Sequence, residues 1–290
     1  MIGETKAARP KAIPEDLFVD VHTHGLGSLD TRSGQPEAVI GLAESHRRKG
    51  TALIYPTIYP SGLGAMRAQM SAVKEAMGRC GLIGGINLEG PFLNPARAGA
   101  LGGGNFWEPS LSNLRELIGG FEDVVKIITI APELPGALKL IEKCAGLGIR
   151  VNMGHSDADI KAAREGKRAG ATGVTHLFNA MRPFHHREPG LAGFALLDED
   201  IYVEVIADAV HLAPETLALV LKVKDPQRII IVSDSVRGGA GKPVFENGAL
   251  AGGGKTISEC ISTMRKIFPR LGTKQVKLFG RDNALRYLGF

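Results

Sequence analysis

Eight short apolar runs recur along the 290-residue chain, most of them followed by a stretch with helical spacing. They read "LFVDVHTH", "TALIYPTI", "LIGGINLE", "VVKIITIAPE", "IRVNMGH", "ATGVTHLF", "IYVEVIAD" and "RIIIVSD". Runs that are apolar on both faces and alternate with helices predict a parallel sheet covered on its outside. Between them, "PEAVIGLAESHRRKG", "LPGALKLIEKCAGLG" and "SDADIKAAREGKRAG" open on Pro, Ser or Asp and close on Gly, as helices do. Eight such units predict an α/β fold of the (β/α)8 TIM barrel type, for which roughly 250 residues suffice. A doubly wound open sheet is the competing architecture, but it calls for a Gly-rich first turn, and "DVHTHG" is no such turn. On this reading residues 1–16 are an N-terminal extension and 17–290 a single catalytic barrel.

The barrel changes the meaning of the polar residues, because the C-terminal ends of its strands converge on one face. Those ends carry His22 and His24, Glu89, His155, His176, Asp208 with His211 close behind, and Asp234. Side chains at i and i+2 on a strand share a face, so His22 and His24 can aim at one point. Neutral imidazoles and carboxylates suit zinc and its neighbours. Taken singly, each of these histidines reads more readily as a hydrogen-bonded structural residue than as a ligand. Chance, however, would scatter the eight histidines over helices and loops, and only His46 sits plainly within a predicted helix. Asp234 reads either as a helix N-cap or as a catalytic acid and base.

Composition narrows the classes. Hydrophobic residues make up 44% and charged residues 22%, as in soluble globular proteins. No apolar run approaches the roughly 20 residues that span a bilayer, so no membrane partner is expected. The N-terminus lacks the apolar core of a secretory signal, and a cytoplasmic location is the expectation. Cys80, Cys144 and Cys260 stand apart without metal or disulfide spacing and read as reduced thiols. The net charge of +5 is spread among acids, and its densest cluster, "HRRKG", ends a predicted helix, so no nucleic acid is expected. "ALAGGGKT" fits a relaxed phosphate loop, but Ala249 replaces its first glycine and too little chain follows for a nucleotide-binding sheet.

The segments "LEGPFLNPARAGA", "NMGHSDAD", "GVTHLFNAMRPFHHREPGLAG", "VIADAVHL" and "VSDS" resemble the successive motifs of the N-acetylglucosamine-6-phosphate deacetylases of the amidohydrolase superfamily, in the same order from about Val19 to Phe290. The resemblance implies a metal-dependent hydrolase that converts N-acetylglucosamine 6-phosphate to glucosamine 6-phosphate and acetate. It implies a principal divalent metal on Glu89, His155 and His176, with His22 and His24 available for a second ion bridged through Glu89. Zinc is the metal expected, with Fe2+ or another transition metal as the alternative, at one or two ions per subunit. It makes Asp234 the catalytic aspartate, which deprotonates the attacking water and protonates the departing amine. Asn179, the Ala180 backbone and Arg187 fall where the family binds sugar phosphate, the arginine reaching in from a neighbouring subunit, so a homodimer is implied. His211 corresponds to a sugar-contacting histidine and Leu250 to a loop that closes over the sugar.

Two departures stand out. The family encloses its barrel with a small β-sandwich built from both chain ends, whereas here about 17 residues precede the first strand and the chain stops at "LRYLGF", so the sandwich is expected to be absent. After "EGPFLNPARAGA" the family commonly has a His or Gln that bonds substrate, and Leu101 cannot do so. His185 and His186 read as surface histidines of a loop. Two other readings stay open: a related amidohydrolase or deaminase acting on a different amino sugar or sugar acid, and a non-catalytic barrel that binds sugar phosphates.

Overall fold

The computed structural model describes residues 13–102, 105–239, 241–246 and 248–290. Residues 1–12 of the expected extension, and Gly103 and Gly104 of the glycine run after Leu101, lie outside them. All eight predicted strands form: β1 (Phe18–Gly27), β2 (Thr51–Ile58), β3 (Ile86–Leu88), β4 (Val125–Ile130), β5 (Arg150–Met153), β6 (Gly173–Val174), β7 (Tyr202–Ile206) and β8 (Ile229–Val232). Each pairs in parallel with the next, and the chain beyond β8, at Ser235–Arg237, pairs in parallel with β1. The sheet therefore closes on itself. A helix follows each strand: α1 (Pro36–Arg48), α2 (Leu63–Arg79), α3 (Leu111–Ile118), α4 (Ala137–Gly146), α5 (Ile160–Arg168), α6 (Gly190–Leu197), α7 (Pro214–Val223) and α8 (Ile257–Ile267).

Helix starts follow the predicted signals with one difference. Pro36 occupies the first turn of α1, and the Asp159 carboxylate caps α5 by accepting from Ala162 N at 2.7 Å. At α4 the chain turns through Gly136 rather than starting on Pro135. Gly136 has φ +87°, and a Cβ there would sit 2.3 Å from Pro109 O, so only glycine fits.

Strand parity separates two cores. Outward residues such as Ile128, Val151, Val203 and Ile231 pack against the helices. Inward residues Val19, Val21, Leu53, Tyr55, Ile127, Ile206, Ile230 and Val232 fill the barrel together with Ala284 and Tyr287 of the C-terminal helix (Asn283–Leu288). Burying one such side chain fully contributes roughly 1.5–3 kcal/mol. The C-terminal helix thus plugs the end of the barrel opposite the convergent strand ends. Arg281, just before it, donates to Ile13 O in the segment leading into β1 at 2.9 Å.

One irregularity in β1 aims the site. Asp20 pairs with Ile54 and Thr23 with Pro56, so Val21 and His22 together face the single residue Tyr55. This bulge keeps Val21 in the inner core yet turns His22 and His24 inward above it. Thr23 then points outward, where its Oγ1 lies 3.2 Å from His46 Nε2 on α1.

Candidate metal centre

Two triads of ligand atoms converge at the C-terminal ends of the strands: Glu89, His155 and His176, and beside them His22, His24 and Asp234. Glu89 Oε1 lies 3.1 Å from both His155 Nε2 and His176 Nε2, and those two nitrogens are 3.1 Å apart. In the second triad His22 Nε2 and His24 Nε2 are 3.3 Å apart, and Asp234 Oδ1 sits 3.5 and 3.6 Å from them. Glu89 joins the triads, its Oε2 being 3.2 Å from His24 Nε2 and its Oε1 3.5 Å from His22 Nε2.

The chain accepts backbone strain to build this arrangement. Among the described residues, the non-glycine positions with positive φ are His155, His176, Phe178, Ala180, Ala209 and Asp234. Each such conformation costs on the order of 1–3 kcal/mol, and all six fall just beyond the ends of β5, β6, β7 and β8. The Asp234 backbone is clamped on both sides: its N–H donates to His22 O at 3.0 Å, and its carbonyl accepts from Gly253 N at 2.8 Å. That clamp explains the glycine run that mimics a phosphate loop. A Cβ on Gly253 would meet Ser233 O at 2.7 Å, and one on Gly254 would meet Lys242 O at 1.9 Å. The N-terminus of α8 is already occupied, Thr256 and Glu259 forming a reciprocal capping box.

The donor set fits divalent cations. His155 Nδ1 donates to Arg97 O at 3.1 Å, and His22 Nδ1 donates to Glu204 Oε2 at 2.9 Å. Those bonds place the ring protons outward and leave bare Nε2 lone pairs facing other acceptors, an arrangement that positive charge must stabilise. Burial opposes the charge of Glu89, but His24, His155 and His176 more than offset it and hold its carboxyl well below the usual carboxylate range. Burial likewise opposes a proton on His22, while Asp234 and Glu204 outweigh it and raise the imidazole well above its ordinary value. A metal ion satisfies the same field by displacing those protons.

His24, Asp234 and the whole Glu89 triad form the wall of a pocket of about 110 Å³ that Asn179, Ala180, His211 and Leu250 also line, with His22 buried behind it. His211 is held by Asp208, whose Oδ2 accepts from its Nδ1 at 2.9 Å, leaving Nε2 for the pocket. Leu250 lies on a hairpin, Val244–Glu246 with Ala249–Gly252, rather than on an open loop. Leu101 also lines the pocket, as does Tyr59, whose ring stacks on His24 at 3.7 Å between centroids. Arg187 is not in this wall. It is exposed, with Nη1 2.9 Å from His186 Nε2, and His185 and His186 are exposed beside it.

Sequence reading overlooked Tyr59, and it overlooked Glu204, which is 2% exposed behind His22. A carboxylate inside the apolar run "IYVEVIAD" was the available signal, since a buried acid needs a partner.

Residues 18–264 match the model of the amidohydrolase family. The N-acetylglucosamine-6-phosphate deacetylase of Bacillus subtilis (strain 168) is 31% identical over 300 residues, which cover 94% of this chain and 74% of that protein. This chain belongs to the N-acetylglucosamine-6-phosphate deacetylase family. The N-acetylgalactosamine-6-phosphate deacetylase of Escherichia coli O157:H7 is also 31% identical, over 229 residues covering 78% of this deacetylase-family chain and 60% of the relative. The chain thus spans 60% to 74% of the length of these two relatives. An aspartate-to-alanine mutant of the Mycobacterium smegmatis deacetylase, solved with N-acetyl-D-glucosamine-6-phosphate, aligns over 95% of this chain and 77% of its own, with a TM-score of 0.85 and 26% identity.

Proposed function

We propose that this family member hydrolyses the N-acetyl group of N-acetylglucosamine 6-phosphate, giving glucosamine 6-phosphate and acetate. The observation that carries this reading is the meeting of two His-carboxylate triads, Asp234 among them, at the pocket lined by Asn179, Ala180 and His211. Divalent cations on Glu89, His155 and His176, and on His22 and His24 beside Asp234, would polarise the acetamide carbonyl and acidify water; zinc is the ion we assign.

The protein's own groups do the rest. Asp234 accepts the proton of the attacking water and returns it to the amine nitrogen as the C–N bond breaks. Its side chain is 12% exposed, open enough to reach substrate and enclosed enough to exclude bulk water. His211, oriented by Asp208, offers Nε2 to a sugar hydroxyl. Asn179 and the Ala180 N–H hold the phosphate. Arg187 lies outside its own pocket wall, and we assign it to the pocket of a second copy in a homodimer, where a guanidinium grips phosphate bidentately. Residues 17–290 then act as one catalytic barrel.

Leu101 favours a second reading, in which the sugar is the galactosamine epimer, because an apolar side chain stands where the family bonds substrate. The test is acetate release by the metal-loaded protein from N-acetylglucosamine 6-phosphate, its galactosamine epimer and unphosphorylated N-acetylglucosamine. The expected result is turnover of the first, abolished by chelation. Preference for the epimer selects the second reading. Turnover that ignores phosphate points to another amide substrate, and no turnover at full metal occupancy leaves only a binding barrel.

A further inference from the structure

Behind His22 a chain of hydrogen bonds runs through the barrel interior to its opposite end. Tyr287 Oη donates to Asn152 Oδ1 at 2.5 Å, Asn152 Nδ2 donates to Glu204 Oε1 at 2.7 Å, and Glu204 Oε2 accepts from His22 Nδ1 at 2.9 Å. Glu204 and Tyr287 are 2% exposed, Asn152 1% and His22 0%. The polarity of the chain is forced. An ionised carboxylate only accepts, so the Asn152 amide must turn its NH2 toward Glu204 and leave its oxygen for the Tyr287 hydroxyl.

The two triads differ in this respect. His155 is oriented by a neutral backbone carbonyl, and His176 Nδ1 and His24 Nδ1 have no hydrogen-bond partner among the described residues. Of the four triad histidines, only His22 is backed by a buried carboxylate among the described residues. Among the described residues no Lys or Arg pairs with Glu204, so its charge is compensated from the His22 side alone. A carboxylate on Nδ1–H fixes the imidazole tautomer and makes Nε2 a stronger donor to a cation. It also adds one buried negative charge next to the His22, His24 and Asp234 triad, which the Glu89 triad does not receive directly.

We propose that Glu204 is the positioning residue that turns the His22, His24 and Asp234 triad into a second cation site, and that Asn152 and Tyr287 couple this site to the docked C-terminal helix. The proposal rests on the metal-dependent reading of the centre, but not on the identity of the substrate. Occupancy of the second site follows the charge and reach of Glu204, and the Glu89 triad fills independently of it.

Ion counting tests this without any substrate, so its outcome is separate from that of the deacetylase assay. The 290-residue chain is stripped and titrated with Co2+, followed by visible absorption and by metal analysis under a competing chelator. Wild type is expected to take two ions per chain in two phases. Glu204→Gln keeps the shape and, after a flip of Asn152, the hydrogen bonds, but loses the charge. It is expected to bind the first ion as wild type does and the second 10- to 100-fold more weakly. Glu204→Asp keeps the charge, withdraws it from His22, and is expected to weaken the same phase, which provides the test if Glu204→Gln does not fold. Tyr287→Phe leaves the carboxylate in place and is expected to weaken the second phase by a smaller factor. The proposal is overturned if the folded Glu204 variants bind two ions as wild type does, if they lose both phases equally, or if wild type saturates at one.

Discussion

Asp234→Asn separates proton transfer from architecture. The substitution exchanges one carboxylate oxygen for an NH2 of nearly the same size. The position has φ +44°, a conformation in which Asn is as well tolerated as Asp, and the bonds from Asp234 N to His22 O and from Gly253 N to Asp234 O involve only the backbone. The fold and the Glu89, His155 and His176 triad should therefore persist. A positioned acid-base group contributes about 10²–10⁴ in rate, which is ~3–6 kcal/mol of transition-state stabilisation at about 1.4 kcal/mol per tenfold. The amide cannot accept the proton of water, so kcat for acetate release should fall by that factor while KM moves little. Asp234 Oδ1 also lies within 3.6 Å of His24 Nε2, so the second ion should be held less tightly. Steady-state acetate release, with metal analysis of the same samples, measures both effects. A metal-loaded Asn variant whose kcat/KM stays within about threefold of wild type would refute the role given to Asp234.

Three further expectations follow from other parts of the structure. Gly254→Ala forces a Cβ to 1.9 Å from Lys242 O and displaces the segment that clamps Asp234, so thermal unfolding should show a loss of ~1–3 kcal/mol and acetate release should drop with it; unchanged values in both would contradict the clamp. Thr256→Ala removes half of the capping box of α8 and should cost ~1 kcal/mol in denaturant unfolding, against no change if the cap contributes nothing. Burial, reinforced by Lys49 and opposed by Glu259, lowers His46 from 6.5 to about 4. The folded state therefore keeps His46 neutral while the unfolded chain takes up a proton below pH 6.5. Its contribution is intact above pH 6.5, declines as pH falls to about 4 and is constant below, a total of ~3 kcal/mol at 1.36 kcal/mol per pH unit. Unfolding free energies measured across that window should fall less steeply in His46→Gln than in wild type, and parallel curves would reject the assignment.

Much of this protein is legible in one dimension. Eight apolar runs alternating with capped helical stretches require a covered parallel sheet, because strands apolar on both faces must bury both. Closure of that sheet brings the strand ends together, which is why His22, His24, Glu89, His155, His176 and Asp234, spread over more than two hundred residues, converge on one face. The glycines of "ALAGGGKT" show the opposite case. Their spacing suggests a phosphate loop, and only the close approach of Ser233 and Lys242 backbone atoms reveals that they make room beside Asp234.

What the tertiary structure alone decided are relations across the barrel. Residue alternation assigns a face only while the pleat is regular, and the bulge at Val21 and His22 lets two neighbours both point inward, a shift that pairing with β2 reveals and spacing does not. The strand that carries Glu204 gives no signal of which partner it meets, and the fold sets it 2.9 Å from His22; Tyr287 comes from the C-terminal helix, and only the fold brings its hydroxyl to Asn152. A sequence records which groups are present and their local periodicity, whereas hydrogen bonds reach about 3 Å and depend on positions that only the closed sheet brings together.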